Sequence, residues 1–347
     1  MPDSRSNFRH NDYALIIGIN DYLPTDDGGL PPLSGAISDA ESIAKWLMCS
    51  DGGNLPIENC LTLFSSAEPR KPLQEAIDYS LDTIFKKVQN NGGHAARFYF
   101  YFSGHGFAAE GSESDIAMCV ANWSSTRRRS AISSKEYVDL FVRYKVFDEV
   151  IFWADCCRNA SYRLRPMGPS LDVFYRGDVD TVYMIANSTQ YMDQAFEIKN
   201  RTDGVTKGVF SELLIKGLKG EAATKDGVIN SHSLKAYLEI HVPIEAQKHG
   251  YKQIPQIMTT ANEKSIVFKH GALQQYTTCV ISISEANIGE IEILNGELAS
   301  VKILTITEKG NVEIDLLKGI YVIRNLTTKV EHFFLITANK ELQNVSF

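Results

Sequence analysis

Two stretches decide how this chain reads: Phe98-Tyr-Phe-Tyr-Phe-Ser-Gly-His-Gly106 and Glu149-Val-Ile-Phe-Trp-Ala-Asp-Cys-Cys-Arg-Asn159. Each is an apolar run of strand length that ends directly in a reactive side chain. A continuous apolar run suits a parallel strand buried on both faces, and open α/β sheets collect their chemistry at the carboxyl ends of such strands. His105 stands at one end and the Cys156-Cys157 pair at the other. A thiol becomes a useful nucleophile when a base takes its proton, so these two ends form a nucleophile and its base if their strands are neighbours. Their separation of roughly fifty residues is no obstacle.

Outward from these runs, apolar strands alternate with helical patterns, the signature of a sheet covered on both faces. Tyr13 to Ile19 reads as the first strand. Ala36, Ile37, Ala40, Ile43, Ala44 and Leu47 recur at three and four residues and predict a helix, with Ser34 as its cap. A second helix runs from Pro72 to the Asn91-Gly-Gly93 stop, and a third from a Ser133 or Ser134 cap through Tyr144. After Asn159 the pattern stops, and Arg163, Arg165, Pro166, Gly168, Pro169 and Gly177 mark a long loop over 160–179. Asp180 to Ala186 resumes as a strand, Val209 to Leu218 as a helix, and Ser233 to His241 as a helix capped by Ser231 or Ser233. From about residue 275 the chain turns into six short β-branched segments separated by turns such as Asn295-Gly296. The expected architecture is an α/β domain over 10–268 with a mostly parallel sheet, followed by a small β-sandwich module over 275–347.

Composition bounds the function. The 347 residues are 44% hydrophobic and 22% charged, which fits a folded globular chain with a large core. The net charge of −7 gives no general attraction to nucleic acid or to an anionic membrane. No apolar run reaches membrane-spanning length, and Met1 to Asp12 carries no signal segment. The six cysteines lack framework spacing, so reduced thiols in a cytoplasm are expected. Gly18 and Asp27-Gly-Gly29 do not make a nucleotide fingerprint. The histidines other than His105 share no metal-ligand spacing with cysteines or carboxylates.

The motifs Tyr101-Phe-Ser-Gly-His-Gly106 and Asp155-Cys156-Cys157 resemble those of the caspase-like cysteine peptidases, nearest to bacterial caspase homologues and metacaspases. Tyr13-Ala-Leu-Ile-Ile-Gly-Ile-Asn-Asp-Tyr22 resembles the family's first strand, and Leu33-Ser-Gly-Ala-Ile-Ser-Asp-Ala40 the start of its first helix. Gly208-Val-Phe-Ser-Glu-Leu-Leu214, Asp226-Gly-Val-Ile-Asn230 and Gln253-Ile-Pro-Gln256 resemble its small-subunit half. The resemblance covers about residues 10 to 260 and implies an αβα sandwich, with a large-subunit-like half to about 160 and a small-subunit-like half over 180–268.

The same resemblance implies the chemistry. The family places its nucleophile two residues after the Asp, which selects Cys157 over Cys156. His105 is then the base, and the amides of Gly106 and Cys157 are the oxyanion donors. The metacaspase pattern forms an acidic pocket from positions matched here by Asp39, Ser103 and Asp155, and a stretch including Asn187 and Ser188 borders the substrate groove. Two carboxylates in a partly buried pocket repel unless a cation neutralises them, so a basic residue, Arg over Lys, is the expected ligand. Arg127, Arg128 and Arg129, with Arg163, Arg165 and Arg176 in the loop where related enzymes are cut, are candidate processing sites for the enzyme itself or an upstream protease. Leu164 stands where calcium-dependent relatives carry an acid, so no metal and no cofactor are expected. The expected partners are proteins with Arg or Lys at the cleavage site, with neither nucleic acid nor membrane involved, and the β module offers sheet edges for docking. Two alternatives stand beside this reading: a silent scaffold with the same fold, and a thiol hydrolase of small acyl substrates.

Overall fold

The two apolar runs lie side by side as parallel strands, with Phe98 opposite Val150 and Ser103 opposite Asp155. The computed structural model describes residues 11–172, 180–199, 204–260, 265–269, 277–296, 298–316, 319–336 and 342–347. These fall into two compact units divided near residue 270. The first runs β1 (Asp12–Gly18), α1 (Ala36–Met48), β2 (Cys60–Phe64), α2 (Gln74–Asn90), β3 (Ala95–Ser103), β4 (Gly106–Ala109), β5 (Ile116–Cys119), β6 (Ala131–Ser133), α3 (Ser134–Arg143) and β7 (Phe147–Asp155). It continues with β8 (Asn159–Leu164), β9 (Val182–Asn187), β10 (Glu197–Lys199), β11 (Thr206–Gly208), α4 (Val209–Lys216), β12 (Ile229–Asn230), α5 (Ser231–Lys248), β13 (Gln256–Thr259) and β14 (Val267–Lys269).

The central sheet has the order β13-β9-β7-β3-β1-β2, parallel throughout except for the antiparallel edge strand β13. Successive side chains on a strand point to opposite faces, and the Phe/Tyr alternation of β3 shows what each face requires. Phe98, Phe100 and Phe102 pack into one core with Ile77, Leu81, Phe141 and Phe152, between the sheet and helices α2 and α3. Tyr99 and Tyr101 point to the other core with Ile43, Trp153, Phe210 and Leu238, under helices α1, α4 and α5. That second face supplies partners for their hydroxyls: Arg97 Nη1 donates to Tyr99 at 2.9 Å, and Tyr101 meets Ser211 Oγ at 2.6 Å. On the dry face Phe100 stacks on Phe152 with centroids 4.9 Å apart, and each such buried ring stabilises the fold by about 2–3 kcal/mol.

Several local expectations are corrected. Ser34 does not cap α1; the flanking residue is Gly35, the amides of Ser34 and Gly35 ahead of the helix donate to Glu197 at 3.1 and 2.7 Å, and Ile37 N in the first turn donates to Asn20 Oδ1 at 3.2 Å. Neither Ser231 nor Ser233 caps α5 from its own position. Asn230 does, with Ser233 completing the reciprocal capping box. The long loop proposed over 160–179 begins instead as a strand, because β8 pairs with β4 in a second sheet of order β6-β5-β4-β8. The partner strand supplies what the local pattern lacks. Ser133 does cap α3, accepting from Glu136 N at 3.1 Å.

The second unit is all β: β15 (Thr277–Ile283), β16 (Gly289–Asn295), β17 (Ser300–Ile306), β18 (Gly310–Leu316), β19 (Gly319–Asn325), β20 (Glu331–Ile336) and β21 (Leu342–Ser346). They form sheets of order β18-β15-β21 and β17-β16-β19-β20. Cys279 and Ile281 from the first share one core with Ile291, Ile293 and Ile323 from the second, the arrangement of a small sandwich. Strand β21, absent from the sequence reading, runs parallel to β15.

Candidate active site

Register places the reactive pair. Ser103 ends β3 directly opposite Asp155 at the end of β7, so His105 and Cys157 emerge two residues beyond matched positions on adjacent strands. Gly106 lets the two turns close on each other: a Cβ there would stand 2.7 Å from the Cys157 carbonyl oxygen and 2.8 Å from Cys156 Sγ. His105 is held from two sides. Its backbone amide donates to Tyr22 Oη at 2.7 Å, and Nε2 lies 2.8 Å from the carbonyl oxygen of Pro31. A carbonyl only accepts, so Nε2 carries the proton and Nδ1 is the ring's basic atom. Burial lowers the His105 pKa against the opposing pull of the Pro31 carbonyl and Glu197.

The Cys157 thiol is gripped by one residue. Ala195 N donates to Sγ at 3.3 Å, and Sγ donates to the Ala195 carbonyl oxygen at 3.6 Å. Burial raises the thiol's pKa, with Asp155 and Glu197 adding to the rise and the Ala195 amide opposing it. Both shifts favour a neutral thiol beside a neutral imidazole over an ion pair. Such a pair can act by general-base proton transfer during attack.

Beside the pair is a cavity of about 240 Å³ whose lining includes Asp39, Ser103, Asp155 and Glu197 together with His105 and Cys157. Asp39 projects from the first turn of α1, and its Oδ2 accepts from Gly208 N at 2.8 Å. Asp155 Oδ2 accepts from Ser211 Oγ at 2.6 Å and from Ser211 N at 3.1 Å. Gly208 forms the floor, where a Cβ would fall 2.3 Å from Asp155 Oδ2 and 3.0 Å from Asp39 Oδ2. Burial pushes the Asp155 carboxyl up to about 6, against the hydrogen bonds from Ser211 and Ser188 that lower it. Asp39 is raised well above the usual carboxylate range by burial, then by the charges of Asp155 and Glu197. Burial thus disfavours the ionised form of both carboxylates.

A family model described as a caspase domain matches residues 11–267. The chain belongs to the caspase-domain peptidase family. A curated relative from a Desulfuromonadales bacterium, named a probable protease, is 31% identical over 234 residues. That match covers 61% of this chain and 26% of the relative, so this caspase domain spans a small part of the longer protein. The crystal structure of caspase-1 from Spodoptera frugiperda is similar at 16% identity and a TM-score of 0.47, covering 79% of this chain and 98% of that one. Family membership makes residues 11–267 a domain of the caspase type of cysteine peptidase.

Not every expected residue lies in the caspase domain's cavity. Asn187 ends β9, buried and paired in the sheet with Ala154 and Gln256. Ser188 stands behind the nucleophile turn, where its Oγ accepts from Cys156 N and donates to Cys156 O, both at 3.1 Å. Neither lines the cavity with Cys157. Cys156 is buried, as a small side chain in a packed turn. Arg127, Arg128 and Arg129 lie exposed on a turn, Arg163 lies within β8, Arg165 pairs with Glu110 at 2.6 Å, and Arg176 falls outside the described residues. Among the described residues no three His, Cys, Asp or Glu side chains are grouped to hold a metal ion, and no helix is long and apolar enough to cross a membrane. Glu197, Gly208 and Ser211 were missed as site residues. The last two stand in the quoted Gly208-Val-Phe-Ser motif, whereas Glu197 sits in a three-residue strand with no periodic signal.

Proposed function

We propose that this chain is a cysteine endopeptidase that cleaves proteins after basic residues, Arg in preference to Lys. The observation that carries the reading is the cavity with three carboxylates beside the Cys157 thiol. Asp39, Asp155 and Glu197, with Ser103 on the wall, give a guanidinium a fork of acceptors that a compact ammonium fills less completely. In the proposed step Cys157 Sγ attacks the peptide carbonyl carbon while its proton passes to His105 Nδ1. The C–N bond then breaks as that proton moves to the leaving amine, and water releases the acyl group from sulfur. The amides of Gly106 and Cys157 are assigned to the oxyanion, supported by the close approach of their backbones. Ser188 positions the nucleophile turn from behind, and Asn187 does so through the sheet.

The half-buried, Ala195-bound thiol describes a resting state that substrate or activation must open. Self-cleavage at an arginine is the regulatory half of the reading. Arg163 is held in a strand and Arg165 in an ion pair, and the Arg127–Arg129 turn must unfold before a protease can take it as an extended chain.

Fluorogenic peptides ending in Arg, Lys, Asp or Leu test the activity. Arg cleavage that disappears with Cys157→Ala or His105→Ala and survives Cys156→Ala is the expected result. Equal cleavage after Arg and Leu, or turnover that persists in Cys157→Ala, sinks the reading. Intact mass after incubation tests processing: active enzyme that stays full length excludes it as the switch.

A further inference from the structure

A second cavity, of about 620 Å³, is formed by the turn from Ser125 to Ser130 together with Met167. The turn is built firmly. Arg127 N donates to Ser124 O at 2.9 Å, and Ser130 N donates to Arg127 O at 3.0 Å. Its root is Trp123, fully buried, with its ring centred 5.4 Å from those of both Phe107 and Tyr162. On this frame three consecutive arginines are exposed. Arg128 is braced over the Tyr162 ring at 5.3 Å, with Nε donating to Ser125 O at 2.9 Å. Among the described residues no carboxylate forms an ion pair with Arg127, Arg128 or Arg129, although the chain carries a net charge of −7. Three neighbouring guanidinium groups repel one another unless anions lie between them, and the hydroxyls of Ser125, Thr126 and Ser130 add neutral donors beside them.

The turn is also tied to the catalytic base. Ser125 N donates to Gly28 O at 2.7 Å, and three residues further on Pro31 O meets His105 Nε2 at 2.8 Å. We propose that the Ser124–Ser130 turn is an anion-binding exosite that takes an Asp/Glu-rich segment of the polypeptide whose basic residue fills the acidic cavity. The two surfaces have opposite charge and would read opposite charges on one substrate. A polynucleotide fits less well: the Tyr162 face is already taken by Arg128, so that ring is not open as a stacking platform for a base.

For its effect on cleavage the exosite rests on the proposed activity, but its binding does not. A fluorescein-labelled Asp/Glu-rich peptide lacking Arg and Lys is titrated with the full chain carrying Cys157→Ala and followed by anisotropy. Binding is expected to weaken with added salt, to fall at least tenfold when Arg127, Arg128 and Arg129 are all changed to Ala, and to return in part when they are changed to Lys. Unchanged binding by the triple Ala variant overturns the proposal, as does tighter binding of a single-stranded oligonucleotide of equal length. In turnover, adding an acidic extension to an Arg peptide should lower KM about tenfold at constant kcat, the scale of a few exposed ion pairs. The triple Ala variant should show no such gain. An extension effect that survives in that variant also overturns the site. If no peptide is cleaved at all, the activity fails while the anisotropy result still decides the exosite.

Discussion

Replacing Asp155 by Asn separates the cost of the pocket from its use. The buried Asp155 carboxyl sits at about 6 against an ordinary 3.8. A difference of about 2.2 pH units corresponds to about 3 kcal/mol at 1.36 kcal/mol each, lost when the folded protein ionises this group. The sign follows from proton counting. Between 3.8 and about 6 the folded state holds the proton that the unfolded state has released, so this part of the stability is fully present below pH 3.8 and disappears as pH rises through 6. Asn carries no charge to bury. With its Oδ1 in place of Oδ2 it still accepts both Ser211 bonds, at 2.6 and 3.1 Å, but without the carboxylate's charge, a loss of about 1 kcal/mol. At pH 7.5 Asp155→Asn should therefore be about 1–2 kcal/mol more stable than the parent, and below pH 4 no more stable. Its kcat/KM on Arg peptides should fall at least about 100-fold, since one buried partner charge is gone. Urea unfolding at pH 4 and 7.5 and peptide kinetics at pH 7.5 read both arms. Parallel stability curves across that range would refute the pKa argument, and undiminished Arg cleavage would refute the pocket.

Gly208→Ala places a methyl group 2.3 Å from Asp155 Oδ2; we expect about 1–3 kcal/mol of destabilisation by overpacking with loss of Arg cleavage, and a variant of parental Tm and kcat/KM would show the floor to be loose. Iodoacetamide should label Cys157 slowly at pH 7 and faster as pH rises, since its pKa is raised; fast labelling independent of pH below 7 would reveal a preformed thiolate. The acid limb of kcat/KM for Arg peptides should fall near pH 6, where Asp155 ionises, and it should move in Asp155→Asn. An unmoved limb would assign it to another group.

The sheet was legible because β3 and β7 are continuous apolar runs whose burial needs no knowledge of partners. The Phe/Tyr alternation of β3 even carried the difference between its two faces, although only the structure shows which face is dry. What could not be read were features made by distant partners. Strand β8 exists through pairing with β4, and β21 through pairing with β15, and neither has a strong pattern of its own. The α1 terminus was assigned to Ser34 on local grounds, whereas Asn20 meets the Ile37 amide and Glu197, 162 and 163 residues away in sequence, meets the two amides just ahead of the helix. Within the site, Asp39, Ser103, His105, Asp155 and Cys157 were named from motifs, and the cavity contains all five. Asn187 and Ser188 lie outside that lining, since a polar residue at a strand end can brace backbone, as Ser188 does at Cys156, as readily as face a groove.

The three carboxylates are held in a reciprocal way that bears on how the site works. Asp39, from the first half of the chain, is bound by the amide of Gly208; Asp155 is bound by Ser211; Glu197, from the second half, is bound by the amides that open α1. Each acid thus takes its donor from the opposite side of the 160–179 segment, so the cavity forms only where the two halves meet, and a cut within that segment leaves every one of these bonds available. The same burial raises Asp39 and Asp155, so on the proposed reading a guanidinium entering the cavity would supply the positive charge that its ionised carboxylates need. On that reading the basic residue of a substrate would also bring its carbonyl toward Cys157, where burial holds both the thiol and the His105 imidazole toward their neutral forms.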